Sequence, residues 1–278
     1  MSDPRTLLDA DKRERLGTYH IGTPFAPLYK TADARSQLTE GVFGQRFDIH
    51  GRVGDYAYGA LRSLLTPGRI DYVGWMLIER RSLLTPEPSH AVSVLSAPVF
   101  TEPDLKIRIG FSLPLGARLS LDEADGHYRR IVGLDEGSPA PWIHERHIRA
   151  LDDVASDPVT VARRYLGQPY VWGGNGARGV DCSGLVQMAL VACGVDAPRD
   201  ADQQEAALGA AIDVDAVAAG KARPCDLLFW PGHVGILSAP TMLLHANAHH
   251  MAVVEEPLMP ALERMAEAGI MLSSARRL

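Results

Sequence analysis

The apolar pattern changes character near residue 150. Before it, apolar residues alternate with polar ones in short runs bounded by glycine and proline. Gly41-Val42-Phe43-Gly44-Gln45-Arg46-Phe47-Asp48-Ile49 alternates, Gly54 to Gly59 is a turn followed by a strand, and Asp71 to Ile78 is a further strand. The same grammar returns in Val92–Phe100, Arg118–Leu121, His127–Val132 and Ala140–Ile143. Strands of this length with turns between them predict small β-barrels. The two blocks, residues 36–88 and 89–150, have the look of degenerate copies. Each ends in tryptophan, apolar residues and then basic ones, at Trp75 to Arg80-Arg81 and at Trp142 to Arg149. The plain alternative is that Trp75 and Trp142 only fill barrel cores, and for Trp142 that is the preferred reading. Residues 1–35 carry helical charge patterning and then a Pro-rich segment, and are expected to form an arm.

After Leu151 the period lengthens. Pro158–Leu166 reads as a helix stopped by Gly167-Gln168-Pro169, and Gly173-Gly174-Asn175-Gly176 is a flexible turn. Cys182–Cys193 is helical, with Leu185, Val186, Ala189 and Leu190 on one face and Gly194 as its stop. Asp200–Leu208 predicts a more polar helix. Four strands are expected at 226–230, 233–237, 242–246 and 251–255, then a closing helix at 260–268. Helices followed by a run of strands make an α+β plan for residues 151–278.

Composition narrows the partners. The chain has 278 residues, 46% hydrophobic and 22% charged, which suits two or three soluble domains. A net charge of −6 argues against nucleic acid or an anionic membrane surface as the main partner. No run approaches the roughly 18 apolar residues of a membrane span. The polar N-terminal stretch lacks an apolar signal core, so a cytoplasmic location is the expectation. Three cysteines fit a reducing compartment. Cys182 and Cys193, on one helix, lie about 16 Å apart along its axis, too far for a disulfide.

The candidate chemistry centres on Asp181-Cys182-Ser183-Gly184. A cysteine at a helix N-terminus has its thiolate stabilised by the dipole and the free N–H groups. His233 follows Trp230-Pro231-Gly232 and opens a strand; it is the candidate base. His245 stands 12 residues on, where a short turn brings both rings to the same end of adjacent strands. A bond between them fixes the tautomer of the first ring. The bland readings are a core cysteine and structural histidines. A zinc site is disfavoured because the nearest pair of ligands is 12 residues apart. His249 and His250 read as solvated loop residues, and Asp181 as a helix cap compatible with a binding role. No cofactor or metal is expected.

Pro169-Tyr170-Val171-Trp172-Gly173-Gly174, Asp181-Cys182-Ser183-Gly184, Pro198-Arg199-Asp200, Pro224-Cys225-Asp226-Leu227-Leu228-Phe229, Gly232-His233-Val234-Gly235-Ile236 and His245-Ala246 resemble, in order and spacing, the NlpC family of papain-like cell-wall cysteine peptidases. The resemblance covers residues 158 to about 256. The tryptophan-containing block ends resemble bacterial SH3-like domains. Together they imply two SH3-like β-barrels followed by a papain-like peptidase domain with an antiparallel sheet. Cys182 is then the nucleophile, His233 the base and His245 the third catalytic residue.

The branch resembled consists of γ-D-glutamyl-L-diamino-acid endopeptidases that act on murein stem peptides with a free L-Ala end, in murein recycling. In it, the positions of Tyr170, Asp181 and Ser183 hold the dipeptide, the acid neutralising its ammonium group, and a tyrosine of the first SH3-like domain closes the pocket. Tyr72 is the candidate, with Tyr56 and Tyr58 competing. The alternatives are a thiol acyltransferase or lipid hydrolase on the same fold, and a non-catalytic cell-wall-binding protein. Two positions depart from the family. Cys225 replaces a usual glycine, so it either adopts φ > 0 or alters the turn, and it is a second oxidisable thiol. Ala201 stands near a usual substrate-binding serine. The diamino acid, meso-diaminopimelate or lysine, is left open.

Overall fold

The computed structural model describes residues 3–78, 81–82, 87–107, 109–133, 141–176 and 178–278. The chain forms two compact units, residues 1–154 and 155–278. Among the described residues no helix is long and apolar enough to cross a membrane.

The first unit is all β. Its first sheet is built from β1 (Gly17–Ile21), β2 (Phe25–Tyr29), β3 (Gln37–Val42), β4 (Arg46–Val53), β5 (Tyr56–Arg62), β6 (Ile70–Leu77) and β7 (Arg81–Ser82). These pair antiparallel in the order β3-β2-β6-β5-β4-β1-β7. The stretch expected to be an arm therefore belongs to the sheet through β1 and β2. The reason is alternation too short to read alone: Tyr19 and Ile21 point inward from β1, Ala26 and Leu28 from β2, and all four are buried with Phe47, Leu61 and Met76. Asp48, with a fully buried side chain, accepts hydrogen bonds from Arg46, Arg62 and Thr18. Trp75 is half-buried against Tyr58, ring centroids 5.4 Å apart, instead of filling the core.

The second sheet comprises β8 (His90–Val92), β9 (Ser96–Phe100), β10 (Ile109–Pro114), β11 (Arg118–Asp125), β12 (Tyr128–Val132), β13 (Trp142–His144) and β14 (Ile148–Ala150). Its order, β10-β9-β13-β12-β11-β8-β14, repeats that of the first sheet strand for strand. Trp142 is buried in a small aromatic cluster with Phe100 and Tyr128, beside the main core of Val92, Val99, Leu113, Leu119 and Ile143. Phe43 leaves the first sheet at the end of β3 and is fully buried in that second core. The turn behind it is tight. Gly44 has φ 76°, and a Cβ there would lie 2.3 Å from the Arg118 carbonyl oxygen; the Arg118 N–H donates to the Phe43 carbonyl at 2.9 Å.

The second unit runs α1 (Pro158–Arg163), β15 (Asn175–Gly176), β16 (Gly179–Val180), α2 (Cys182–Ala192), α3 (Ala201–Ala207), β17 (Ala210–Ile212), α4 (Val214–Ala218), β18 (Leu227–Trp230), β19 (His233–Ala239), β20 (Met242–Asn247), β21 (Ala252–Pro257), α5 (Leu258–Glu267) and β22 (Ser274–Arg277). Its antiparallel six-stranded sheet has the order β17-β22-β18-β19-β20-β21. Asp157 caps α1, accepting from the Val159 and Thr160 N–H groups, with Pro158 in the first turn. Every residue of α2 is buried, because it is apolar all round and packs on α1 and the sheet. Gly194 ends its run at φ 78°. Cys225 adopts φ 70°, a conformation usually left to glycine. Its thiol points at Asp157 Oδ1, 3.8 Å away, and burial, then that carboxylate, push its pKa up.

Candidate active site

The second unit gathers Cys182, His233, His245, Tyr170, Asp181 and Ser183 around the N-terminus of α2 and the start of β19. Tyr72 lies in the first unit, buried in the core of its first sheet.

Cys182 is the first residue of α2, and Asp181 is its N-cap. Two glycines make this geometry possible. A Cβ on Gly184 would lie 2.3 Å from the Gly174 carbonyl oxygen, and one on Gly174 would lie 2.5 Å from that of Gly179. Only hydrogens fit where the turn and the helix end press together. Cys182 is 6% exposed, and its sulfur accepts the N–H of Val234, the residue after His233. The helix thus delivers the thiol to the start of β19.

Asp181 has no acceptor position to spare. Its Oδ1 takes the Gly184 N–H at 2.7 Å and Arg199 Nη1 at 2.9 Å; its Oδ2 takes the Gly173 N–H at 2.8 Å and Arg199 Nη2 at 2.7 Å. Arg199 is 2% exposed and also donates to Ser183 Oγ at 2.9 Å. Burial opposes the guanidinium charge, but Asp181 outweighs it and holds the pKa up. The resemblance gives Asp181 the task of neutralising a substrate ammonium group. In the structure the carboxylate pairs with Arg199, caps α2 and fastens the glycine turn to it. Ser183 is 5% exposed, and its carbonyl accepts from Gln204 Nε2 at 2.9 Å. Ala201, also buried, starts α3 after its Asp200–Gln203 capping box.

The thiol is not poised as a thiolate. Burial, then the neighbouring Asp181 charge, raise the Cys182 pKa to about 11, against the Val234 N–H, the Arg199 charge and the Ser183 N–H. Tyr170 is half-buried. Burial, then Cys182 and Asp181, raise its pKa to about 12, so it remains a neutral hydroxyl.

His233 Nε2 lies 2.9 Å from His245 Nδ1, their rings edge to face at 5.1 Å. Burial, then the His245 ring, push the His233 pKa down to about 3, so the resting ring is a neutral base. His245 is fully buried. Gly235 makes room for it: a Cβ there would meet the His245 Cβ at 3.2 Å.

Sequence reasoning missed what stands behind His245. Its Nε2 is 2.8 Å from Glu256 Oε1 and 2.9 Å from Asn247 Nδ2. Glu256 is clamped by Arg264, with Nη1 to Oε2 and Nη2 to Oε1 both at 2.7 Å. In the β20–β21 register His245 opposes Val254 and Leu243 opposes Glu256, so Glu256 is the diagonal same-face neighbour of His245. Among the described residues no group of three or more His, Cys, Asp and Glu is arranged to hold a metal ion.

Residues 167–263 match the model of the NlpC/P60 family. "Dipeptidyl-peptidase 6" of Lysinibacillus sphaericus is 36% identical over 109 residues, 38% of each chain. A "Gamma-D-glutamyl-L-lysine dipeptidyl-peptidase" of Bacillus cereus is 25% identical over 235 residues, 80% of this chain and 65% of that one. The alignments thus span less than two thirds of these relatives' length. A crystal structure of an NlpC/P60 family protein from Bacillus cereus has the same fold, with a TM-score of 0.77 and 20% identity over 94% of this chain and 99% of that one. The cysteine on the helix end, the paired histidines on the sheet and the matched residues agree: the chain carries a papain-like domain of the NlpC/P60 family of cysteine peptidases.

Proposed function

We propose that this chain is a cysteine endopeptidase that hydrolyses the D-γ-glutamyl-L-diamino-acid bond of murein stem peptides bearing a free N-terminal L-Ala, in cytoplasmic recycling of those peptides. The observation that carries the reading is the His233–His245 pair at 2.9 Å, next in the chain to the Val234 N–H that holds the Cys182 sulfur. His233 Nδ1 takes the thiol proton as the sulfur attacks the γ-glutamyl carbonyl carbon. The Cys182 N–H binds the developing oxyanion. The imidazolium returns its proton to the leaving diamino-acid nitrogen as the C–N bond breaks. Water, deprotonated by the same ring, then releases L-Ala-D-Glu from the thioester.

The similarity to the Bacillus cereus protein named gamma-D-glutamyl-L-lysine dipeptidyl-peptidase supports this substrate class. Tyr170, Asp181 and Ser183 form the dipeptide subsite, with Asp181, braced by Arg199, neutralising the α-ammonium group of the substrate. The two repeated β sheets are SH3-like barrels that precede the peptidase domain; their shared strand order supports that assignment.

The test is mass spectrometry after incubation with L-Ala-γ-D-Glu-meso-diaminopimelate, its lysine analogue and the muramoyl-capped peptide. Release of L-Ala-D-Glu from a free tripeptide, absent with Cys182→Ala, is the expected result. Equal cleavage of the capped peptide would move the role from recycling to wall hydrolysis. No cleavage of any of them would overturn the peptidase reading.

A further inference from the structure

The His245 Nε2 atom has two neighbours that demand opposite things. Glu256 is an acceptor at 2.8 Å and Asn247 Nδ2 is a donor at 2.9 Å. One ring nitrogen cannot donate to the first and accept from the second. We infer that Glu256, locked by Arg264, is a positioning residue that fixes the tautomers of His245 and His233 and so leaves His233 Nδ1 free to act as the base.

The carboxylate wins on energy, because a hydrogen bond to an ionised acceptor is about twice as strong as a neutral one. Burial pulls the Glu256 pKa up, but the hydrogen bonds from Arg264 and His245 outweigh it and bring it to about 2. The proton is therefore on His245 Nε2, and His245 Nδ1 is an acceptor. His233 must then donate through Nε2, which leaves its Nδ1 lone pair unprotonated. Had Asn247 won, the proton would be on His245 Nδ1, His233 Nε2 would accept, and a neutral His233 would carry its proton on Nδ1, where no base could act. The other groups facing the pair are Trp230 against His233, and His250, whose backbone N–H donates to Asn247 Oδ1 at 2.8 Å.

The kinetic arm of the test rests on the peptidase reading, while the spectroscopic arm does not. In ¹⁵N-histidine-labelled protein at neutral pH, ring shifts should show Nε2–H tautomers for both His245 and His233. Glu256→Gln should lower kcat by roughly a hundredfold, the low end of what a positioned base contributes, with KM little changed. A His245 Nδ1–H tautomer in the wild-type spectrum overturns the inference even if the protein cleaves nothing. Unaltered kcat in a folded Glu256→Gln enzyme also overturns it.

A separate observation lies in the first unit. Arg118 is 8% exposed, and its Nη2 donates to the Leu64 carbonyl at 2.8 Å. Among the described residues no carboxylate lies within ion-pair distance of it. Burial, then the nearby Arg149, push its pKa down to about 10. It lines a cavity of about 390 Å³ with His20, Arg46, Ser63 and Glu87. Arg46 shares Asp48 with Arg62, and Glu87 is exposed. A buried cation without a counter-ion is costly, and a planar guanidinium matches a carboxylate or phosphate bidentately. The geometry points to a binding site for a small oxyanion at the junction of the two sheets, with Arg118 as its anchor.

The test titrates sodium phosphate and sodium acetate against sodium chloride at constant ionic strength, following the backbone N–H resonances of Gly44 and Gln45 at the cavity wall. Saturable shifts with phosphate assign a phosphate ligand, and shifts with acetate a carboxylate; either should weaken at least tenfold in Arg118→Lys, which keeps the charge and loses the fork. Equal effects of chloride in the wild-type protein, or unchanged binding in Arg118→Lys, overturn the site.

Discussion

The helix side and the strand side of the candidate active site handle buried charge in opposite ways. On the helix side, Asp181 and Arg199 are both more than nine-tenths buried, and the carboxylate's acceptor positions are filled from within the chain. On the strand side, Glu256 and Arg264 pair at the edge of the unit, and one carboxylate oxygen reaches inward to His245. The first arrangement is a lock: it holds Cys182 in place but raises its pKa. The second is a bias: it settles where two ring protons reside. A saturated ion pair fixes geometry, and one with an acceptor shared inward fixes chemistry.

The largest effect expected from this contrast is on thiol reactivity. With Cys182 held near pKa 11, its alkylation by iodoacetamide should climb about tenfold per pH unit between about pH 7 and 10. A plateau beginning near neutral pH would mean that the strand-side imidazole, not the helix-side charge, sets the thiol. Next in size is stability. Arg199→Met leaves Asp181 charged, buried and unpaired, and should cost about 3–5 kcal/mol by urea unfolding. Adding Asp181→Asn should restore much of it; a loss under about 1 kcal/mol would break the description of the helix side as a lock.

The acid limb distinguishes the two sides further. The Glu256 pKa lies below its ordinary value, at about 2, so its contribution is fully present above about pH 4.5 and is lost as the pH falls toward 2. Glu256→Gln should flatten that part of the unfolding curve. The smallest effect belongs to the neighbouring carboxylate. Glu255 pairs with Arg163 at 2.6 Å on the exposed face, and Arg163→Ala should cost only about 0.2–1 kcal/mol. A cost as large as that of Arg199→Met would remove burial as the basis of the contrast.

Much of the second unit was legible as a linear pattern. The Cys182 helix, the Gly194 stop and the four strands around His233 and His245 depend on local period and turn residues, which a sequence displays. Glu256 was not legible, because its role depends on a diagonal across β20 and β21 that only the register creates. Glu255-Glu256 reads as a solvated face, and half of it is one. Arg199 stood inside a recognised motif, but its partner lies 18 residues back and no spacing rule links them. For Cys182, the helix N-terminus was visible and the burial that overrides it was not. In the first unit, the repeated blocks could be seen from their turns and closing tryptophans, but β1 and β2 are too short for alternation to outweigh the charged residues before them. Trp75 shows the same limit: its strand was legible, but its exposure depends on the face it occupies.

The Phe43–Gly44 turn makes the two repeated sheets a single folding problem. Phe43 leaves the first sheet and is fully buried in the core of the second, so neither sheet reaches its full burial alone. Residues 1–154 should melt as one cooperative transition, and a fragment ending before the second sheet would present a bare phenylalanine to water and associate through it.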